Sequence, residues 1–304
     1  RRSEAVIVKV LKRANEMVVG IFQKSKNYGF VVPDNQKIAK DIFVDKNHTM
    51  GAVNGHKVVV RLTDFGKKNK NPEGEIVEIL GHVNDPGVDI LSIVRAYHLP
   101  EQFPEEVMAQ VEAVPEQVLP EEYVGRRDIR NWQTVTIDGE EAKDLDDAIT
   151  IQKKSGGHYI LGVHIADVSH YVKEGSPLDK EALKRGTSVY LTDRVIPMLP
   201  HKLSNGICSL NAGVDRLALS CIMELDEKGN IVNHEIAKTV INVDYRMTYT
   251  AVKQIIEDRN EDVIREYEEV VPMFETMAEA AEKLREKRRM RGGIDFDFPE
   301  SKIL

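Results

Sequence analysis

Six of the ten residues from Asp138 to Asp147 are acidic, against the single Lys143. The run reads Asp138-Gly139-Glu140-Glu141-Ala142-Lys143-Asp144-Leu145-Asp146-Asp147, with apolar strand-like segments at 134–137 and 148–151 on either side. A core therefore anchors both ends. Carboxylates that a fold crowds together repel one another unless some protonate or a cation neutralises them. Hard divalent cations take oxygen ligands, and Mg2+ commonly combines a few carboxylates with waters and substrate phosphates. Two such ions about 4 Å apart can stabilise both the attacking and the leaving oxygen of an in-line phosphoryl displacement. If 144–147 is extended, Asp144 and Asp146 point to one side and Asp147 to the other, and a turn at Asp138-Gly139 brings Asp138 back beside them. The same residues also read as a solvated acidic loop or a structural Ca2+ loop, although the spacing lacks the Asp-x-Asp-x-Asp-Gly pattern of an EF-hand.

The elements around this run form a mixed pattern. Strand-like runs occur at 134–137, 148–151, 159–164, 218–224 and 231–243, and helical runs at 178–184, 249–257 and 262–290, the last interrupted by Pro272 and stopped by Gly292-Gly293. This predicts an α+β domain on a mainly antiparallel sheet from residue 123 to 304. Upstream, residues 83–122 carry two helix-like stretches punctuated by Pro100, Pro104, Pro115 and Pro120, and read as an acidic helical connector. Residues 17–82 hold five short apolar runs separated by Gly and Asn, the pattern of a small antiparallel barrel of OB type. On such a barrel Phe22, Tyr28, Phe30 and Phe43 can stack bases while Lys24 and Lys26 track phosphates. At least one of the phenylalanines must serve the core, because a strand sends alternate side chains inward. Residues 4–11 alternate like a strand without a partner before them, so 1–16 is expected to be the last strand of a preceding module.

Composition sorts the functional classes. The chain has 304 residues, 41% hydrophobic and 30% charged, an ordinary globular balance. It contains no apolar run long enough for a membrane span, and Arg1-Arg2-Ser3-Glu4 gives secretion no support. Cys208 and Cys221 fit a reducing cytoplasm and are expected to be small buried apolar side chains. The net charge of −8 conceals an asymmetry: residues 1–82 carry 15 basic and 9 acidic side chains, against 27 and 41 in the remainder. A basic module joined to an acidic one fits a nucleic-acid partner met first by the N-terminal part. His158, His164, His170 and His201 read more simply as hydrogen-bonding residues than as metal ligands. The basic run Lys283, Arg285, Lys287, Arg288, Arg289 and Arg291 reads either as a contact for nucleic-acid phosphates or, equally well, as a solvated helix face, since Glu282 and Glu286 interleave with it.

The motifs resemble the catalytic domain of the ribonuclease II/ribonuclease R family. They are Thr136-Ile137-Asp138, Asp144-Leu145-Asp146-Asp147-Ala148, Gly162-Val163-His164-Ile165-Ala166-Asp167-Val168-Ser169-His170-Tyr171-Val172, Gly175-Ser176-Pro177-Leu178-Asp179 and Tyr190-Leu191. The likeness continues through Ile196-Pro197-Met198-Leu199-Pro200, Leu203-Ser204-Asn205-Gly206-Ile207-Cys208-Ser209-Leu210 and Arg246-Met247-Thr248-Tyr249. Tyr28-Gly29-Phe30-Val31 and Gly51-Ala52-Val53-Asn54-Gly55 resemble the family's second cold-shock domain. The resemblance implies a processive hydrolytic exoribonuclease that acts on single-stranded RNA from the 3′ end and releases nucleoside 5′-monophosphates. Mg2+, with Mn2+ as the alternative, is the implied cofactor, with no small-molecule cofactor beside it and no membrane partner. Asp138 and Asp147 match implied metal ligands, Asp144 a supporting carboxylate, and Asp146 the carboxylate that matters most to cleavage. Tyr190 matches an aromatic that stacks near the RNA 3′ end, and Tyr249 one that sets the length of the final product. The family also uses a Ser-Pro-Ile-Arg-Arg-like segment near the scissile phosphate, which residues 1–304 do not contain, nor do they contain the S1, first cold-shock and helix-turn-helix regions. An internal piece of a longer enzyme, weak in activity by itself, is therefore expected. The competing reading is a non-catalytic RNA-binding module with a vestigial acidic loop.

Overall fold

The computed structural model describes residues 6, 8–11, 13, 15–67, 69–294 and 296. They fall into two compact units, residues 1–102 with 189–196, and residues 103–188 with 197–304.

In the first unit, β1 (Met17–Lys24), β2 (Tyr28–Pro33), β3 (Ile42–Asp45), β4 (His56–Asp64) and β5 (Glu73–His82) close a barrel in the order β1-β2-β3-β5-β4. Val18, Phe22, Val31, Ile42, Val44, Val58, Val60 and Ile76 fill it. Phe22 packs so closely beneath β2 that a Cβ on Gly29 would stand 2.2 Å from its ring, which is why residue 29 carries no side chain. Helix α1 (Val88–Ala96) covers the outer side of β1, where Val19, Val59, Leu80 and Val88 form a second cluster. The expected strand at 4–11 falls partly outside the described residues, and Val6 and Val8–Leu11 lie in no strand. Lys68 of the basic loop before β5 also lies outside the described residues.

The expected connector is divided, since α1 belongs to the first unit and α2 (Glu105–Glu112) to the second. The second unit continues with β6 (Arg127–Asp128), β7 (Val135–Asp138), β8 (Asp147–Lys153) and β9 (Tyr159–Ala166), then α3 (Val168–Tyr171) and α4 (Pro177–Arg185). A short ribbon, β10 (Val189–Tyr190) and β11 (Val195–Ile196), groups with the first unit. Strands β12 (Asp215–Leu225), β13 (Ile231–Asn242) and β14 (Tyr245–Thr248) complete a seven-stranded sheet, β14-β7-β8-β9-β12-β13-β6. Its pairs are antiparallel except β14 with β7 and β13 with β6. Helices α5 (Tyr249–Ile256), α6 (Glu261–Glu266) and α7 (Val271–Met290) follow, and Val135, Ile151, Tyr159, Met247, Ile255 and Phe274 join one buried cluster. Pro272 sits in the first turn of α7, where a missing N–H costs nothing.

A belt of hydroxyls and one imidazole crosses this sheet inside the protein. Thr134 and Thr150 share a hydrogen bond of 2.8 Å, Thr150 meets His164 Nε2 at 3.2 Å, His164 Nδ1 meets Ser220 at 2.7 Å, and Ser220 meets Thr239 at 2.6 Å. All five side chains are fully buried. Burial pulls the His164 pKa down to about 4, so the ring is neutral. At the end of β9 a second buried polar group gathers: Arg126 Nη2 donates to Asp167 at 2.7 Å, with both side chains almost wholly enclosed. His170 bridges Arg126 and Glu122 at 3.2 and 2.7 Å.

Candidate active site and nucleic-acid interface

Asp138 closes β7, Asp147 opens β8, and residues 139–146 form the loop between them. Leu145 is the loop's anchor, 1% exposed in a cluster with Ile129, Ala148, Leu210 and Ile241. Its N–H donates to Ser209 Oγ at 3.0 Å, its carbonyl accepts from the Leu210 N–H at 2.8 Å, and Ser209 Oγ donates to the Lys143 carbonyl at 2.9 Å. The Asp146 carbonyl accepts from Ala166 N–H at 2.9 Å, one residue before the Arg126-bound Asp167. The Ala142 N–H donates to Gly139 O at 3.1 Å, which forms the expected turn beside Asp138. Arg246 on β14 closes that turn from outside, donating from Nη2 to the Glu140 and Ala142 carbonyls at 3.0 and 2.6 Å.

These supports bring the four predicted aspartates into electrostatic contact. The Asp138 carboxyl is pushed above the ordinary carboxylate range first by burial, then by Asp147, Asp146 and Asp144, while Arg246 pulls it back. Asp146 is raised by desolvation and by Asp144 and Asp147, although the residue remains open to solvent on one side. Asp147 lies in β8 while 144–146 lie in no strand, and its charge acts on both Asp138 and Asp146. Asp138 Oδ2 is buried with no hydrogen-bond partner in the protein. Among the described residues no three His, Cys, Asp or Glu side chains converge on one point able to hold an ion. A hard-oxygen donor set with one buried, unpartnered oxygen still fits Mg2+, which typically rests on one or two carboxylates and completes its shell with water and phosphate.

The predicted histidines serve structure. His164 lies in the buried belt, His170 in the Arg126 group, His158 against Glu224 at 2.9 Å and His201 against Asn205 at 3.2 Å. Cys208 is buried and its thiol is pushed up to about 12 by desolvation, whereas Cys221 is half-buried, a departure from the expected burial. Along α7, Arg285 and Arg289 pair with Glu282, and Lys283 with Glu279. Tyr249 is the first residue of α5 and 66% exposed, directly after Thr248, which pairs in register with Asp138. Tyr190 is equally open but lies on the β10–β11 ribbon of the other unit.

On the barrel, Tyr28, Phe30 and Phe43 form an outward cluster with ring centroids 5.6, 5.8 and 5.9 Å apart. Lys24 and Lys26 are exposed nearby along the chain. Phe22 does not join them. It is wholly buried, so its assignment to a nucleic-acid surface is corrected to the barrel core. Ser209 and Arg246 were missed as supports, since a serine and an arginine inside long motifs announce no backbone contact with a loop about a hundred residues or fewer away.

A barrel with an outward aromatic cluster, followed by a mixed sheet whose β7–β8 loop gathers four carboxylates, defines a two-module architectural class. The chain matches the RNB domain over residues 126–304 and a cold shock domain over residues 30–104. It belongs to the RNB family. Ribonuclease R of Thermotoga maritima is 48% identical over 301 residues, 98% of this chain and 42% of that protein. Among solved structures, Mycoplasma genitalium RNase R in complex with ribose methylated single-stranded RNA has a TM-score of 0.85 at 26% identity, covering 98% of this chain and 47% of that one. The same enzyme in complex with double-stranded RNA gives 0.83 at 26% identity, over 96% and 51%. The chain thus spans about two fifths to one half of the length of these relatives.

Proposed function

We propose that this chain carries the carboxylate side of the active site of a processive 3′-to-5′ exoribonuclease, which hydrolyses single-stranded RNA to nucleoside 5′-monophosphates. The observation that carries this reading is the β7–β8 loop. Burial and the charges of the neighbouring aspartates raise the proton affinity of Asp138 and Asp146 there, and buried Leu145 and Ser209 fix the backbone beneath them. Hydrolysis of a phosphodiester needs a placed water, neutralised phosphate charge and a held leaving group, which is mainly a positional and electrostatic task. Asp138 and Asp147 would hold Mg2+, or Mn2+ in its place, with Asp144 supporting them. When bound, the ion supplies charge neutralisation at the phosphate and a more acidic water. Asp146, open to solvent, orients the water toward the scissile phosphate. Tyr190 stacks near the RNA 3′ end and Tyr249 limits how short the last product becomes, both contacts that tolerate any base. Tyr28, Phe30 and Phe43 stack bases upstream while Lys24 and Lys26 follow the backbone. The relative bound to double-stranded RNA supports structured RNA as a further substrate. Two thiols outside any disulfide support the cytoplasm as the compartment, and among the described residues no helix is long and apolar enough to cross a membrane.

The test uses a full-length protein carrying these residues and 5′-labelled oligo(A). The reading predicts a ladder that shortens from the 3′ end one nucleotide at a time, stops in chelator, and resumes with Mg2+ or Mn2+. Internal cuts, or an intact substrate, contradict it. Residues 1–304 alone lack the arginine segment that the resemblance implies, so they should trim poorly, and efficient Mg2+-dependent trimming by them would refute that. The rival reading is a non-catalytic RNA-binding module with a vestigial acidic loop. Retention of all four aspartates opposes it, since pure RNA binding would gain from losing negative charge.

A further inference from the structure

We infer that Arg246 is a positioning residue that locks the carboxylate loop to the strand–helix junction presenting Tyr249. This rests on the nuclease reading above. Parallel pairing of β14 with β7 sets Arg246 beside Thr136 and Thr248 beside Asp138, and buried Met247 pins the strand between them. From that position the Arg246 Nη2 group donates to two carbonyls of the loop, Glu140 O at 3.0 Å and Ala142 O at 2.6 Å. Thr250, in the first turn of α5, adds a hydrogen bond from its hydroxyl to the Glu140 carboxylate. The segment between Asp138 and Asp144 is therefore braced by β14 and α5 in addition to its own Ala142–Gly139 turn and the Ser209 contact at Lys143. The guanidinium also stands where its charge acts on Asp138, which offsets part of the mutual repulsion of the aspartates.

The consequence is mechanical. Tyr249 follows Arg246 by three residues and begins the helix that Thr248 caps through its hydroxyl, accepting from Ala251 N–H at 3.1 Å. The loop that grips the ion and the aromatic that limits the product are held by one junction, so a change in one shifts the other. Arginine suits the task because its planar, always-charged fork holds two acceptors in a fixed geometry, which the flexible ammonium of lysine reproduces only in part.

The test compares Arg246→Ala, Arg246→Lys and Thr250→Val with wild type in the full-length enzyme, alongside melting temperatures that confirm folding. Three quantities are read: Mn2+ affinity by calorimetry without RNA, kcat and KM on 5′-labelled oligo(A), and final product length. Losing an outer support typically costs about tenfold or more in metal affinity or activity. Arg246→Ala should weaken Mn2+ binding and lower kcat by about that factor, leave KM within about threefold, and lengthen or blur the end product. Arg246→Lys should recover part of each effect, and Thr250→Val should show a smaller loss of the same kind. Unchanged Mn2+ affinity and product length in Arg246→Ala overturn the inference while leaving the nuclease reading intact. A rise in KM alone also overturns it, because Arg246 would then be a phosphate contact. Wild-type protein that leaves RNA intact defeats the underlying reading instead.

Discussion

The barrel and the seven-stranded sheet solve the problem of presenting chemistry in opposite ways. The barrel keeps an apolar interior and sets Tyr28, Phe30 and Phe43 on its outside, so the surface proposed to contact RNA and the barrel's stability rest on different side chains. In the sheet, the aspartates depend on buried polar groups: the Ser209 hydroxyl under Leu145, and the Arg126–Asp167 pair at the strand end that holds the Asp146 backbone. A stacking platform tolerates small displacements because every base has a flat face. A carboxylate set that must place ions and water does not, and its supports have to be rigid and enclosed. On the proposed reading, function is separable from stability in the first region and entangled with it in the second.

Substitutions can break this contrast. The largest effects belong to the buried groups. Arg126→Ala should cost about 3–5 kcal/mol, the usual penalty for stranding one partner of an enclosed ion pair. Denaturant titration of the chain would measure it, and a loss under 1 kcal/mol would show that Asp167 finds other compensation. Phe22→Ala should cost a similar ~3–5 kcal/mol through the cavity it leaves in the barrel. Any weakening of RNA binding by that variant should follow the unfolded fraction.

Next comes the response to acid. His164 is neutral in the folded protein down to about pH 4, whereas the unfolded chain takes up a proton below the ordinary imidazole value of 6.5. The unfolded state thus binds more protons between these values, and stability is lost as pH falls through that window, by about 3 kcal/mol in total. His164→Gln should flatten this part of the pH profile relative to wild type. Equal slopes would mean that the belt holds the ring in its charged form.

The smallest expected effect on folding is at the barrel surface. Tyr28→Ala should leave the melting temperature nearly unchanged yet weaken single-stranded RNA binding by ~1–3 kcal/mol, the usual worth of one stacked base. A melting loss equal to that of Phe22→Ala would erase the distinction between the two regions.

Much of this organisation is legible in the residues. The five barrel strands, the α+β plan and the acidic loop all follow from alternation, helical spacing and charge. Phe22 was misplaced because helix α1 covers the outer side of β1, so Val19 is buried as well as Val18 and Phe22, and the inside–outside alternation that would have marked the core residue is erased. The aspartates announce themselves by crowding. What holds them does not: Ser209 reaches Leu145 across 64 positions, and Arg246 reaches Ala142 across 104. Contacts between side chain and distant backbone leave no period and no composition bias to read. The anchoring of 144–147 is hidden for the same reason, since Leu145 is held by the Leu210 N–H and the Ser209 hydroxyl.

The central claim, that these carboxylates exist to cut RNA, is tested most directly by Asp146→Asn in the full-length protein, which keeps the side chain's size and removes its charge. On 5′-labelled single-stranded RNA with Mg2+ the account predicts that turnover disappears while RNA affinity stays within a factor of about three, since no stacking residue or lysine has changed. A product ladder identical to that of wild type would contradict it.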